Sequence, residues 1–265
     1  MFTIDELLQP ETVSEATEML IASPDIVVLG GCGFLKLGSR RIGKAMDLSR
    51  CGLDIITEDK DEIRIGAMAT LYDIETNQSL NQLFDGIVPR AVGNILGTQF
   101  RRCATIGASV YSKYGFSDVI PSLLVLNTEV ELIKNGRMPL QDFLDKPIAR
   151  DILTWVHIKK DNRHASYQNL RNAGADFPIL NTAVSKKGEQ WIIAVGARPG
   201  KAQVATKACE LLSRGTIEHM NVEKIAGSVA EELTFGGNNK ASAQYRQAMC
   251  AVLVKRAIGE VLSCK

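Results

Sequence analysis

The stretch from Arg101 to Leu126, RRCATIGASVYSKYGFSDVIPSLLVL, constrains this chain more than any other. Its turn Thr105-Ile106-Gly107-Ala108-Ser109 combines two small residues with two hydroxyls. Ser117-Asp118, Pro121 and an apolar run from Ser122 to Leu126 follow. Small residues let a backbone approach a ligand closely and leave its N–H groups uncovered. Hydroxyls and a nearby carboxylate suit a ligand with many O–H groups and a negatively charged part. Taken alone, the pattern is a polar loop opening a buried helix. A second small-residue turn near the N-terminus, Gly30-Gly31-Cys32-Gly33, gives it a possible counterpart.

Ile26 to Leu29 predicts a short buried strand running into that second turn, so the dinucleotide-binding fingerprint is the first test. It fails, because Gly31-x-Gly33 is followed by Lys36 where the third glycine belongs. A helix predicted ahead of the strand also gives the wrong order for a first βα turn. A glycine turn after a strand can still cradle phosphates through successive backbone N–H groups without that frame. By itself it is equally a tight turn at a sheet edge.

Composition narrows the classes. The 265 residues are 45% hydrophobic, enough for a substantial core and two or three compact units. A net charge of +1 provides no global field for nucleic acid or an anionic membrane. Asp5, Glu6, Glu11, Glu15 and Glu18 argue against a basic leader, and no apolar run reaches bilayer length. The expectation is a cytoplasmic protein. Cys32, Cys51, Cys103, Cys209, Cys250 and Cys264 are scattered without a C-x-x-C, so no metal or cluster site is expected here. His157, His164 and His219 lack a carboxylate or cysteine at suggestive spacing, and no catalytic residue is assigned.

Periodicity supplies the elements. Glu11 to Ala22 predicts a helix with Val13, Ala16, Met19 and Leu20 on one face, stopped by Pro24. Lys44 to Leu48 is strand-like, and residues 52–66 predict a hairpin turning at Lys60-Asp61. Thr70 is the expected N-cap of a helix reaching Thr76, with Asp73 in its first turn. Ile87 to Leu96 predicts a helix, Glu129 to Ile133 a strand turning at Asn135-Gly136, and Asp151 to Ile158 another strand. The polar break from Lys159 to His164 is the expected boundary, dividing the chain into 1–160 (lobes of about 1–52 and 53–160) and 161–265. Beyond it, Ile179 to Ser185 and Trp191 to Val195 predict an antiparallel pair around Lys187-Gly188. Helices are expected over Gln203 to Arg214, Val222 to Leu233 and Ala241 to Leu262, the last burying Tyr245, Met249, Val252 and Leu253 with Arg246, Lys255 and Arg256 outward.

The combination resembles the FAD-binding flavoprotein subunit of the molybdenum hydroxylases, the xanthine dehydrogenase and carbon monoxide dehydrogenase medium-subunit family. The resemblance is carried by Leu29-Gly30-Gly31-Cys32-Gly33, by Ala104-Thr105-Ile106-Gly107-Ala108-Ser109, and by Ser117-Asp118 with Pro121 and Leu123-Leu124-Val125-Leu126. Arg64 to Leu71 (RIGAMATL), Asp47-Leu48-Ser49, Tyr245-Arg246 and Val254-Lys255-Arg256-Ala257 add to it. It implies an α/β (α+β) chain: a two-lobed FAD-binding domain of the vanillyl-alcohol-oxidase type, then a carbon monoxide dehydrogenase flavoprotein-like C-terminal domain.

The resemblance also implies the site. Leu29, Gly30, Gly31, Cys32, Gly33 and Phe34 would face the FAD pyrophosphate, and Ala104, Thr105, Gly107, Ala108 and Ser109 would form the second half of the clamp. Asp118 would accept from a cofactor hydroxyl, and Ile95 and Leu153 would supply apolar contacts. Tyr111 and Tyr114 would lie near the flavin, as stacking residues, partner contacts or plain surface. Cys32-Gly33 and Ala108-Ser109 depart from the family's usual residues. The implied partners are a molybdopterin-binding large subunit and a [2Fe-2S] small subunit on separate chains, with NAD or another acceptor. Two other readings stay open: a flavin-free interaction or assembly protein keeping the fold, which the altered turns motivate, and a stand-alone flavin oxidoreductase.

Overall fold

Thr12 starts the first helix of the computed structural model, which describes residues 1–214 and 219–263. It is extended, its side chain accepts the Glu15 N–H at 3.1 Å, and Glu15 reaches back to the Glu11 N–H at 2.8 Å. The Thr12 cap satisfies a donor that the first helical turn leaves open, and Glu15 in turn holds the residue ahead of the cap. The helix, Val13–Ala22, buries Ala16 and Leu20 and ends at Ser23 before Pro24.

The described residues fall into two compact units. One comprises Met1–Asp73, Gly97–Ser112 and Thr128–Lys159; the other comprises Ile74–Leu96, Lys113–Asn127 and Lys160–Lys265. The chain therefore passes between units several times before residue 160.

In the first unit, β1 (Thr3–Leu8), β2 (Val27–Leu29) and β3 (Arg41–Asp47) form a parallel sheet in the order β1-β3-β2. Ala16, Leu20, Ile26, Met46, Leu48 and Ile152 make its core. The second sheet has the order β4-β5-β8-β6-β7, from β4 (Ile56–Glu58), β5 (Glu62–Gly66), β6 (Thr128–Leu132), β7 (Gly136–Pro139) and β8 (Leu153–Lys159). Its pairing is antiparallel throughout, with Ile63 opposite Ile158 and Ile65 and Val130 opposite Val156. These apolar residues are fully buried. The alternate positions place Arg64, Glu129 and His157 in cross-strand register, so the two faces of the sheet differ in polarity as a period of two requires.

The second unit carries an antiparallel sheet, β12-β11-β10-β9, from β9 (His164–Leu170), β10 (Leu180–Lys187), β11 (Gln190–Gly196) and β12 (Gln203–Val204). Helices Thr206–Arg214, His219–Glu232 and Ala243–Ser263 cover it, burying Trp191, Ile193 and Val195 against Val229, Leu253, Ala257 and Ile258. Each of the Val, Leu and Ile side chains among them contributes about 1.5–3 kcal/mol when fully removed from water. The helix Val119–Leu124 belongs to this unit, and every one of its residues is buried. Among the described residues, no helix is long and apolar enough to cross a membrane.

Several expectations change. A strand, β1, precedes the first helix; it is mostly exposed at a sheet edge, so its sequence lacks the apolar signal of a buried strand. Residues 165–170, unassigned by periodicity, continue β9. Gln203–Val204 are strand, and the helix begins at Thr206. The helix after Ile87 ends at Gly93. On the last helix Leu253 is buried and Lys255 and Arg256 are exposed as expected, but Arg246 is only 1% exposed, whereas Tyr245 is 45% and Val252 37% exposed. Arg246 is buried because its guanidinium donates to the carbonyls of Ile179 and Ala197, at 2.6 and 2.9 Å, and to Asn238. Charge alone misassigned it, since a buried cation is tolerated where backbone oxygens receive its donors.

Candidate functional site

Both small-residue turns lie in the first unit, and they meet. Strand β2 delivers Gly30 to Phe34, where Gly31 and Cys32 have φ of +74° and +57°. A Cβ on Gly31 would stand 1.9 Å from the Cys103 carbonyl oxygen and 2.8 Å from the Ala104 Cα. One on Gly30 would stand 2.5 Å from the Ala108 Cβ and 3.1 Å from Thr105 Oγ1. The glycines are therefore required by the approach of one turn to the other. The Cys32 carbonyl accepts the Lys36 N–H at 3.1 Å. Among the described residues, the N–H groups of Gly31, Cys32 and Gly33 donate to no protein acceptor. Successive uncommitted donors on a left-handed turn have the chemistry that the oxygens of a pyrophosphate need.

The second turn is held from behind. Thr105 is extended, and its Oγ1 accepts the Ala108 N–H at 3.3 Å to cap the helix Ile106–Tyr111. Leu71 donates to the Ala104 carbonyl at 2.9 Å, Ile106 to Ala69 at 3.0 Å and Gly107 to Ala67 at 2.9 Å. A Cβ on Gly107 would lie 2.6 Å from the Ala67 oxygen. The Arg64–Leu71 segment is thus the bed on which the Thr105 turn rests. Thr70 begins the next helix by exchanging hydrogen bonds with Asp73, accepting its N–H at 3.1 Å and donating its own at 2.9 Å. The Ser109 hydroxyl turns inward to the Thr105 carbonyl at 2.8 Å.

Asp118 lies in the second unit and is 5% exposed. Its neighbour Ser117 accepts the Ile120 N–H at 3.1 Å, fixing the start of the helix Val119–Leu124. Three donors converge on Asp118 Oδ1: the Arg171 guanidinium, the Tyr167 hydroxyl and, at 3.3 Å, Asn181 Nδ2. Among the described residues, no donor reaches Oδ2. Burial, and then the Asp118 charge, push the Tyr167 phenol well above its ordinary pKa, which keeps it a donor. Arg171 also donates to Asn169 Oδ1 at 2.9 Å and to the Asp176 carbonyl at 2.7 Å. Sequence reasoning missed Tyr167, Arg171 and Asn181; only the folded chain brings them to Asp118.

The remaining candidates are dispersed. Leu153 opens β8 and is buried; Ile95 is half-buried past the helix Ile87–Gly93. Tyr111 packs at 6.0 Å from Phe143 in the first unit. In the second, Tyr114 stacks on Phe116 at 4.9 Å, and Phe116 meets Phe177 at 4.6 Å. Two histidines have carboxylate partners that sequence spacing does not show, because the partners come from other strands and loops. His157 is buried between Glu62 and Glu131, at 3.2 and 2.8 Å, and His164 faces Asp85 at 3.1 Å. The side chain of His219 and all of Cys264 lie outside the described residues. The other five cysteines are free thiols; burial pushes Cys209 up to about 11 and Cys250 up to about 12. Among the described residues, no group of three metal-ligating side chains forms.

Comparison with known proteins gives the family and the fold. Residues 2–158 match the family described as the FAD binding domain in molybdopterin dehydrogenase, and residues 165–261 the CO dehydrogenase flavoprotein C-terminal domain. The nicotine 6-hydroxylase medium subunit of Paenarthrobacter nicotinovorans is 24% identical over 95% of both chains. Two solved structures share the fold. A chain of the carbon monoxide dehydrogenase from Hydrogenophaga pseudoflava gives a TM-score of 0.90 at 21% identity, covering 98% of both chains. A chain of quinoline 2-oxidoreductase from Pseudomonas putida 86 gives 0.87 at 18%, covering 98% of this chain and 96% of that one. With its uncommitted N–H turn docked on the Thr105 turn, and the family match spanning more than half its length, this chain belongs to the FAD-binding domain family of the molybdopterin dehydrogenases and has FAD as its cofactor.

Proposed function

We propose that this chain is the flavin-bearing electron-transfer subunit of a cytoplasmic, xanthine dehydrogenase-like molybdenum hydroxylase. Electrons would come from [2Fe-2S] clusters on a small partner chain, after a molybdopterin-binding large chain oxidises a nitrogen heterocycle or an aldehyde. They would leave to NAD or another acceptor. Bound FAD supplies the exchange between one-electron and two-electron chemistry that such a junction needs. The names of the nicotine and quinoline relatives favour the heterocycle.

One observation carries the reading: the Gly30–Gly33 turn rests on the Thr105 turn while its own N–H groups stay uncommitted. The residues of this chain would bind and orient, with no proton-transfer role. Gly31, Cys32 and Gly33 would donate to the pyrophosphate, flanked by Leu29, Gly30 and Phe34. Ala104, Thr105, Gly107, Ala108 and Ser109 would complete the clamp, and Asp118 Oδ2 would accept from a cofactor hydroxyl. Ile95 and Leu153 would add apolar contacts. In this reading residues 1–160 are the FAD-binding domain and 161–265 the C-terminal domain.

The test is the visible spectrum of the purified protein, with released cofactor identified after heating and companion chains identified by mass. Flavin bands, FAD near one per chain and two larger and smaller companions are the expected result. A colourless chain that takes up no added FAD would overturn the reading.

A further inference from the structure

We propose that Phe100 is the positioning residue of the Gly30–Gly33 turn: its ring takes the space of a side chain at Gly33, and its carbonyl holds the segment on which Gly31 rests. The inference rests on the reading of that turn as the pyrophosphate donor and adds a residue outside both sequence motifs. Every residue it uses lies in the first unit.

Gly31 and Gly33 are required for different reasons. Gly31 has a φ of +74° and meets the Cys103 carbonyl, so backbone conformation and backbone contact both demand glycine. Gly33 lies outside the left-handed region, and its backbone would admit a side chain. The obstacle is the Phe100 ring. A Cβ on Gly33 would stand 2.7 Å from Phe100 Cε2, 2.8 Å from Cζ and 3.9 Å from Cδ2, and these are its three nearest atoms. Phe100 is half-buried in the short helix Thr98–Arg101, where it donates to the Gly97 carbonyl at 3.0 Å. Its own carbonyl accepts the N–H groups of Cys103 and Ala104, at 3.0 and 2.9 Å. Those two residues carry the atoms that Gly31 packs on. One residue therefore braces the turn twice, through main chain beneath Gly31 and through its ring at Gly33. The chemistry of the brace matters. A serine or aspartate side chain at this place could accept one of the turn's own N–H groups, as such side chains do in tight turns. A hydrocarbon ring offers no lone pair, so it fixes the turn without consuming the donors that phosphate oxygens need.

The alternative is that Phe100 only fills space. A double-mutant cycle on the full chain separates the two, with FAD affinity read by flavin fluorescence, the bound pyrophosphate by phosphorus NMR and the apoprotein by melting. Phe100→Ala is expected to weaken FAD binding about tenfold and to move the phosphorus resonances. Phe100→Leu restores apolar volume and should recover most of both. Gly33→Ala displaces the ring and should weaken binding about fivefold in the parent, but by no more than about twofold beside Phe100→Ala, because both changes disturb one contact. If Phe100→Ala fails to fold, Phe100→Val replaces it in the same cycle. A Phe100→Ala variant that melts lower yet keeps the parent's affinity and phosphorus spectrum would overturn the positioning role. So would Gly33→Ala and Phe100→Ala losses that multiply. A parent chain that takes up no FAD would instead overturn the pyrophosphate reading on which the role rests.

Discussion

The Gly31 turn and the Asp118 cluster, both candidates for the cofactor under the proposed function, are made of different material. The turn is almost all backbone: side chains are excluded at Gly30 and Gly31 by neighbouring atoms, and the proposed donors are amide N–H groups. The Asp118 cluster is almost all side chain, four residues from a helix start, two strands and the loop after β9 meeting at one carboxylate oxygen. A backbone site depends on shape and tolerates no added volume. A side-chain site depends on charge balance and tolerates volume better than loss of a partner. The two regions should therefore fail in different ways when altered.

The strongest separation comes from Gly31→Val. The new side chain meets the Cys103 carbonyl at a separation no real Cβ contact shows, and it must adopt a φ near +74° that a β-branched residue strongly resists. The turn has to leave the Thr105 turn, so FAD retention should be lost altogether. Isothermal titration of the apoprotein with FAD checks this. The second unit should keep its own hydrogen-exchange protection, because Gly31 lies in the first. Measurable FAD binding by this variant would show that the clamp is not made as described.

Asp118→Ala is the opposite experiment. No volume is added, but the Arg171 guanidinium and the Tyr167 hydroxyl lose a buried acceptor. Leaving a buried charge unpaired costs about 3–5 kcal/mol, so urea unfolding of the apoprotein should show a loss of that order. Gly31→Val should disturb binding more than the apoprotein's folding; Asp118→Ala should disturb both. A loss under about 1 kcal/mol, the range of exposed pairs, would mean that water screens the cluster.

The same difference explains what could be read from sequence. Backbone-built features leave a local trace, because the residue that permits the close approach sits at the approach itself. Gly30, Gly31, Thr105 and Gly107 were all identifiable for that reason, as were the Arg64–Leu71 bed and the hairpins turning at Lys60-Asp61 and Lys187-Gly188. Clusters built from side chains leave none. Tyr167, Arg171 and Asn181 lie in β9, just after it and in β10, and look like ordinary strand and loop residues until pairing sets their register against the start of the Val119–Leu124 helix. The carboxylates around His157 were hidden likewise, since Glu62 and Glu131 reach it from the neighbouring strands. Arg246 shows the limit of charge as a guide: its carbonyl partners come from Ile179 and Ala197, residues with no polar side chain to advertise them.

Thr105→Ala probes a side chain that shapes the backbone clamp. Its hydroxyl accepts the Ala108 N–H and touches the space beside Gly30. Removing an N-cap oxygen typically costs about 0.5–2 kcal/mol. Thermal melting should therefore fall modestly, and FAD affinity should drop severalfold as the second turn loosens. An effect on FAD as large as that of Gly31→Val would mean that the Thr105 hydroxyl contacts the cofactor directly.

The smallest expected effect comes from a side-chain cluster in the first unit that faces no proposed ligand. Burial alone would raise the Glu62 carboxyl, but hydrogen bonds from Arg137, at 2.6 Å, and His157, at 3.2 Å, together with their charges bring it below its ordinary value of 4.5. A depressed folded-state value means that the unfolded chain takes up protons first as acid is added. The stabilisation is then fully present above about pH 4.5 and is lost as pH falls through the lower folded value. Glu62→Gln should flatten the acid limb of the stability curve, lowering stability at neutral pH by under about 1 kcal/mol, as for other solvent-screened pairs. It should leave FAD affinity unchanged, in contrast to every alteration at Asp118. Melting temperatures between pH 3 and pH 7, on parent and variant, measure the slope. A variant whose acid limb matches the parent's would place the acid sensitivity elsewhere. Altered FAD binding would show that the cluster belongs to the site and that the division between structural and ligand-facing carboxylates is drawn in the wrong place.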